Sequence, residues 1–234
     1  AILFTLNPFA TPASASSTRL SGFTGIALDG TGTLGATEYV ITVQNPTSTA
    51  ISPKLTAIID SPLSTSANLT KSGRGTLVLT ATNVAGGGAT KQTTINEGIL
   101  RISSLDNIGG TTGGIAFAGG TLQLADGFAQ SDLSTRNFSF LSAGGTLDVG
   151  SNSLSFVNPI GGLAGISAGG FTKSGSGSLV LGGSSVSTYL GQTAVNNGRL
   201  ALAGGLTANA DNRLNVATTL TLGVADTNGV LQLG

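Results

Sequence analysis

The sequence contains no cysteine, histidine, tryptophan or methionine. Disulfide bonds are therefore excluded, and so are metal sites built on thiolate or imidazole ligands. The Gly-Gly-x-Gly-x-Asp calcium repeat and the EF-hand loop are absent as well. These absences predict a protein that uses no metal and no cofactor.

Charge is also scarce, with ten basic and ten acidic residues that make up 9% of the chain and cancel. An average soluble domain has about 25% charged residues. A neutral, weakly charged surface favours self-association and lacks the basic face that nucleic acid requires. No apolar run approaches the roughly 20 residues of a membrane-spanning helix. The expected partners are therefore copies of the same chain, or a host or matrix surface, and not nucleic acid.

Glycine, in contrast, is abundant, with 37 residues among 234, more than twice the average share of about 7%. Many glycines begin the pattern Gly-x-Leu-x-Leu or a close variant. The first apolar residues of its first four copies are residues 77, 100, 122 and 147, at intervals of 23, 22 and 25 residues. Such a regular interval indicates a repeat architecture. The pattern begins at Gly75, Gly98, Gly120, Gly145, Gly177, Gly198 and Gly229.

The Leu-x-Leu pattern predicts short strands with one buried face. Residues two apart on a strand point to the same side, so Leu77 and Leu79 are expected inside and Val78 outside. Each interval can hold two or three short strands separated by glycine corners, which is typical of one coil of a parallel β-helix. A longer interval before Leu179 is explained by an additional Leu-x-Phe element at Leu154. The leucines are expected to stack as one continuous dry column.

The sequence before the repeats differs in composition. Residues 1–20 predict an extended N-terminal arm, residues 21–68 a β-strand cap or atypical first coils, and residues 69–234 the β-solenoid repeat region. The arm has one strand candidate, Ile2 to Leu6. Two alternatives stay open: the arm pairs with a neighbouring molecule's sheet edge, or it folds back on its own domain.

Two longer segments repeat almost residue for residue. Residues 69–79 match residues 171–181, and residues 95–100 match residues 195–200. The second copy also carries Tyr189 in the intervening loop. This pattern resembles the autotransporter-associated β-strand repeat, also called the passenger-associated transport repeat. The resemblance implies a right-handed β-helix at the bacterial surface, exported across the outer membrane, and implies no particular ligand.

A complete autotransporter of this kind ends in a membrane barrel. The chain is therefore expected to be either a fragment of a longer autotransporter or a protein secreted whole.

Several side chains in the repeat region carry groups that could take part in catalysis or binding. Asp132 and Asp148 form the one carboxylate pair worth testing for sugar-bond hydrolysis, which needs two nearby acids. Lys71 and Lys173 are expected to pack their stems along a coil with their heads in water. Tyr189 is expected to cap a loop. We therefore predict that the chain is not an enzyme.

Two asparagines occupy equivalent positions in the two copies. Asn96 and Asn196 are expected to form an internal ladder or to bond the backbone at the bend.

Three functions fit the sequence. The first is a structural subunit that self-assembles into an extracellular fibre, sheath or surface layer by N-terminal strand addition. The second is the passenger of an autotransporter adhesin at the cell surface, and the third is a carbohydrate-active enzyme. In the first hypothesis the assembly contacts are Ile2, Leu3, Phe4, Leu6, Leu231 and Leu233.

Overall fold

The computed structural model describes residues 2–5, 17–20, 38–44, 55–63, 67–84, 86, 88, 90–110, 112–161, 168–183, 186–203, 214, 219–223 and 228–233. Within these residues the chain forms β-strands and one short 3-10 turn, Leu105–Ile108, and no α-helix. Every pairing between strands is parallel. The predicted all-β, parallel β-solenoid is therefore confirmed.

The strands form three sheets that run along the solenoid. Sheet 1 consists of β1 (Ile2–Thr5), β3 (Glu38–Gln44), β5 (Asn68–Ser72), β7 (Gln92–Ile95), β9 (Gly114–Phe117) and β11 (Asn137–Phe140). Sheet 2 consists of β2 (Ser17–Leu20), β4 (Thr56–Ile59), β6 (Thr76–Leu79), β8 (Ile99–Ile102), β10 (Thr121–Leu124), β12 (Gly145–Asp148), β14 (Phe171–Ser174), β16 (Thr193–Val195) and β18 (Leu220–Leu222). Sheet 3 consists of β13 (Ser153–Phe156), β15 (Ser178–Leu181), β17 (Gly198–Leu202) and β19 (Gly229–Leu233).

Buried leucines stack in register from coil to coil, but in two columns instead of the single column expected. In sheet 2, Leu77 pairs with Leu100 of the next coil, and the column continues through β10 and β12. In sheet 3, Leu154 pairs with Leu179, and that column continues through β17 and β19. The pairing of Leu154 confirms the additional element that accounts for the long interval before Leu179.

The column changes sheet because one coil contains an extra strand. After β11 and β12 the chain adds β13, which begins sheet 3. The second copy of the long repeat is therefore displaced by one face of the solenoid. Lys71 of the first copy lies in sheet 1, whereas its equivalent Lys173 lies in sheet 2.

Six aromatic rings fill the core around this change of sheet. Phe140 is fully buried and lies 5.1 Å from Phe117, 5.3 Å from Phe171 and 5.6 Å from Tyr189 between ring centroids. Offset and edge-on ring pairs stabilise a core beyond the area that they bury. The rings thus hold together the three sheets at the point where the repeats shift. The six are Phe117, Phe138, Phe140, Phe156, Phe171 and Tyr189.

The N-terminal strands belong to the same sheets as the repeats. Strand β1 pairs with β3, and β2 pairs with β4, so the strand predicted in the arm folds back on its own chain. Leu6 lies outside the described residues. Most of residues 1–37 do so too, and the boundaries of the arm and the cap therefore stay predictions.

Among the residues described, no helix is long and apolar enough to cross a membrane.

Candidate functional site

The most unusual group in the first repeat is a lysine that points into the core. In β5, Leu69 and Lys71 share the inward face, and both are 0% exposed. A lysine head is almost never fully buried unless partners satisfy it. The expectation that this head lies in water is therefore wrong, and its partners must come from the backbone or from another side chain.

Backbone carbonyls at two successive corners satisfy the Lys71 ammonium. Its Nζ donates to the carbonyl oxygens of Ser72 at 2.9 Å, Gly73 at 2.6 Å and Glu97 at 2.9 Å. These three bonds use all three protons of the ammonium group. Because Glu97 belongs to the next coil, the lysine ties one coil to its neighbour. Burial lowers the pKa of Lys71 to about 8, and the Glu97 carboxylate opposes that shift.

The second repeat builds the same arrangement on another sheet. Lys173 is fully buried, and its Nζ donates to the carbonyl oxygens of Gly175 at 2.6 Å, Gly177 at 2.7 Å and Asn197 at 2.7 Å. Burial lowers the pKa of Lys173 to about 8, while the charge of Asp148 raises it. We call these two sites the lysine corners.

Glycine is required at the corner of the next coil, where the chain passes each lysine ammonium. Gly98 and Gly198 both have positive φ angles, 64° and 66°. A Cβ atom at Gly198 would lie 2.4 Å from the Gly177 carbonyl oxygen and 2.6 Å from the Lys173 Nζ. No side chain fits there, so the backbone carbonyls can converge on the ammonium. At Gly198 the glycine of the Gly-x-Leu pattern therefore leaves the space that the Lys173 ammonium needs.

A buried arginine, which no sequence pattern predicts, makes a similar connection. Arg136 is 3% exposed. Its Nη1 donates to the carbonyl oxygens of Ile108 and Gly110, both at 2.8 Å, and its Nη2 donates to that of Gly86 at 2.8 Å. Burial lowers its pKa to about 10. One guanidinium thus connects the corners of three successive coils.

Asparagines also bond between coils, although not all in the way expected. Asn83 donates to the Asn107 carbonyl oxygen at 2.5 Å, and Asn107 donates to the Thr80 carbonyl oxygen at 3.1 Å. These bonds connect backbone at successive corners. Asn96 donates instead to the hydroxyl of Ser72 at 3.1 Å. Asparagine amides therefore stabilise the coil stack by bonding the preceding and following coils.

Tyr189 is part of the aromatic core and caps no loop at the surface. It is fully buried, and its hydroxyl bonds to the Thr193 hydroxyl at 2.6 Å. Burial raises the pKa of Tyr189 to about 12. A ring in this position cannot stack on a sugar, so the tyrosine of the repeat serves packing.

The two candidate catalytic acids belong to different sheets. Asp132 forms a parallel bridge with Ser155, which places it beside sheet 3, and both of its carboxylate oxygens accept from Ser134. Asp148 lies in sheet 2, where it accepts from Gln123 at 2.9 Å. Each carboxylate is held by its own local hydrogen bonds. The structure does not bring the two together as a facing catalytic pair.

The chain contains two copies of a known repeat. Residues 69–102 and 171–202 match the passenger-associated-transport-repeat family. Both lysine corners fall within these matches. The molecule described above is therefore a β-solenoid built around two passenger-associated transport repeats, as the sequence pattern indicated.

A curated relative points to the same class of protein. Over 150 residues, 64% of this chain, the sequence is 37% identical to the adhesin BmaC autotransporter of Brucella suis biovar 1 (strain 1330). The matched stretch spans 4% of that protein's length. No solved structure matches the chain significantly.

Proposed function

We propose that this chain is a length of β-solenoid from an autotransporter passenger that stands on the bacterial surface and contributes to adhesion. The observation that carries the proposal is that both passenger-associated transport repeats coincide with lysine corners in one parallel stack of coils. The likeness to an autotransporter adhesin supports the same function. The chain then acts as a binding and spacing element, and its chemistry is contact, not catalysis.

The coil stack suits a protein that must project from a surface. In a solenoid each coil contacts its neighbours only, so stability accumulates coil by coil. Here several coils are also joined by bonds from buried side chains to backbone, as Lys71 and Arg136 show. With no cysteine, the fold gains this stability without disulfide chemistry. Stacking of repeated coils therefore gives a stiff rod whose length is set by the number of coils.

Sheet 2 offers the longest outward face for adhesion, and its outer surface is rich in hydroxyl groups. Threonines lie in register on that face and are interrupted by Ile99. A groove of about 430 Å³ runs beside two of them, and no charged side chain lines it. We infer that this groove binds an uncharged part of the adhesive target, such as a neutral glycan. The threonines are Thr56, Thr76, Thr121, Thr146 and Thr172.

Adhesion of bacteria that display the full-length protein tests this proposal. We expect the pair Thr146→Lys and Thr172→Lys to reduce attachment to neutral-glycan surfaces by about tenfold, because each lysine must be desolvated against an uncharged partner. The matched control is Ser153→Lys with Ser178→Lys, which places the same charge on sheet 3. Unchanged attachment of the sheet 2 variant, with equal surface display by antibody labelling, would exclude sheet 2 as the adhesive face.

Self-assembly into a fibre, sheath or surface layer stays a prediction. The net charge of zero supports it, since copies of the chain do not repel one another. The backbone of Ile2, Leu3 and Phe4 lies in β1, which pairs within the chain. Strand β19 contains Leu231 and Leu233, and the side chain of Leu231 is half-buried. Electron microscopy of the purified chain over a range of concentrations tests it: single particles at every concentration would reject the hypothesis.

A further inference from the structure

The two lysine corners differ at one position that matters chemically. The residue whose backbone carbonyl completes the corner is Glu97 in the first repeat and Asn197 in the second, and each is followed by glycine. An asparagine before a glycine is the dipeptide in which the following backbone nitrogen can attack the asparagine side chain, because glycine presents no Cβ to obstruct it. The second corner therefore contains a reactive pair that the first one lacks.

The fold holds the two reacting groups of this pair together. The backbone nitrogen of Gly198 donates to the side-chain Oδ1 of Asn197 at 2.7 Å. The nitrogen thus lies against the carboxamide whose carbon, Cγ, it would attack. Asn197 and Gly198 are both partly exposed, so solvent water reaches the pair.

Lys173 adds an electrostatic contribution at the same peptide bond. The nucleophile in this reaction is the deprotonated nitrogen of Gly198, and its negative charge is shared with the carbonyl oxygen of Asn197. That oxygen accepts a hydrogen bond from the Lys173 ammonium at 2.7 Å. A charged donor aimed at an oxygen on which negative charge develops stabilises the reactive form.

We propose that the second lysine corner promotes the deamidation of Asn197. The Gly198 nitrogen forms a bond to Cγ of Asn197, the Cγ–Nδ2 bond breaks, and ammonia leaves with the proton taken from the Gly198 nitrogen. Water then opens the cyclic imide. Attack at Cγ gives aspartate with the normal backbone, and attack at the main-chain carbonyl carbon gives isoaspartate.

The product changes the charge of the corner. A new carboxylate arises next to the buried Lys173 ammonium, whereas the first repeat has a carboxylate at this position from the start. In that first corner the Glu97 carboxylate already opposes the lowered pKa of Lys71. The second repeat thus acquires with age the negative charge that the first one encodes.

Asn228 provides a matched control in the same chain. It is exposed and also precedes a glycine, Gly229, which pairs in register with Gly198 one coil away. Among the described residues, no lysine donates to the Asn228 carbonyl oxygen. The two sites share the Asn-Gly dipeptide, but Asn228 lacks the hydrogen bond from Lys173, is more exposed than Asn197, and precedes a glycine without the positive φ angle of Gly198.

Peptide mass spectrometry of the intact folded chain, incubated near neutral pH, tests the proposal. We expect Asn197 to convert about tenfold faster than Asn228, because one hydrogen bond to a charged group supplies at least that factor. In denaturant the two rates should become equal. A folded chain in which Asn197 converts no faster than Asn228 would overturn the proposal.

Two further measurements isolate the contribution of Lys173. Lys173→Met should abolish the advantage of Asn197 where circular dichroism shows that the variant folds. In the unmodified chain, the ratio of the two rates should fall as pH rises past about 8, where Lys173 loses its proton. Asp148 on β12 is the charged group whose effect on this lysine the structure shows, and Arg199 on β17 follows Gly198 directly in the chain. A ratio that is constant across this pH range would contradict the assigned contribution of Lys173.

Discussion

Replacing Lys71 with methionine should lower the free energy of unfolding by about 3–5 kcal/mol, because three hydrogen bonds from a charged donor are lost and each contributes about 1.5–3 kcal/mol. Methionine keeps a similar stem and fills a similar volume, so the change removes mainly the ammonium group. The carbonyl oxygens of Ser72, Gly73 and Glu97 then lose their charged donor, and the bond to Gly73 is buried. Each buried acceptor without a partner costs about 1–3 kcal/mol. Denaturant titration followed by circular dichroism measures the effect.

Lys91 supplies the control for this prediction. It is partly exposed, and no described group accepts a hydrogen bond from its Nζ. Lys91→Met should change stability by less than about 0.5 kcal/mol, as is usual for surface substitutions. If Lys71→Met and Lys91→Met had equal effects, the lysine corner would not stabilise the fold. Lys173→Met should resemble Lys71→Met, because Lys173 also makes three carbonyl bonds, and those to Gly175 and Asn197 correspond to the bonds of Lys71 to Gly73 and Glu97.

The Phe140→Ala variant should lose about 3–5 kcal/mol, the usual cost of emptying a buried aromatic site. Phe140 contacts three other rings at the point where the repeats change sheet. Its removal opens a cavity and also ends three ring pairs, each of which contributes about 0.5–1.5 kcal/mol. The thermal midpoint of unfolding should fall by about 10 °C for a chain of this length.

Two control variants allow the stability loss of Phe140→Ala to be compared with a conservative change at the same site and with a change at the surface. Phe140→Leu keeps most of the apolar volume and should cost clearly less than Phe140→Ala. Val157→Ala removes an apolar side chain that is 51% exposed, so it should have little effect. A small loss for Phe140→Ala would mean that the aromatic cluster does not hold the sheets together.

The strands and their inward residues could be predicted from sequence because they follow local periodicity. Alternation of Leu77, Val78 and Leu79 places the leucines inside, and the structure agrees. The interval between copies predicts stacking, since parallel coils need equal lengths. The β-solenoid fold can therefore be predicted from the alternation within each copy and the regular interval between successive copies.

The shift of the second repeat by one face could not be predicted in the same way. Equal motifs suggest equal positions, yet Lys71 and Lys173 lie in different sheets. The cause is the extra strand β13, which is visible in sequence only as a longer interval and the element at Leu154. Which sheet a strand joins depends on contacts between coils, and the sequence alone does not contain them.

The prediction for the two buried lysines, Lys71 and Lys173, is wrong for a physical reason. Lysine heads prefer water by several kcal/mol, so a sequence argument puts them there. The sequence does contain one indication of the buried position. Leu69 and Lys71 are two residues apart on one strand, so both side chains point inward. Arg136 had no such signal: it follows a turn, and its acceptors at Ile108, Gly110 and Gly86 belong to other coils.

Disulfide trapping of engineered cysteine pairs tests most directly how the two repeats are stacked, since the chain has no cysteine of its own. Thr146 and Thr172 are in-register neighbours on the outer face of sheet 2. Neighbouring strands lie roughly 4.8 Å apart, within the roughly 4.4–6.8 Å that a disulfide accepts. Thr146→Cys with Thr172→Cys should therefore cross-link rapidly under mild oxidation, while Thr121→Cys with Thr172→Cys, two coils apart, should not.

A different cross-linked pair is expected if the account of the stacking is wrong. If the second repeat were stacked on the same face as the first, Thr172 would follow Ser139, which continues the row of Thr70 in sheet 1. Rapid cross-linking of Ser139→Cys with Thr172→Cys, and none between positions 146 and 172, would show that the one-face shift and the sheets described here are wrong.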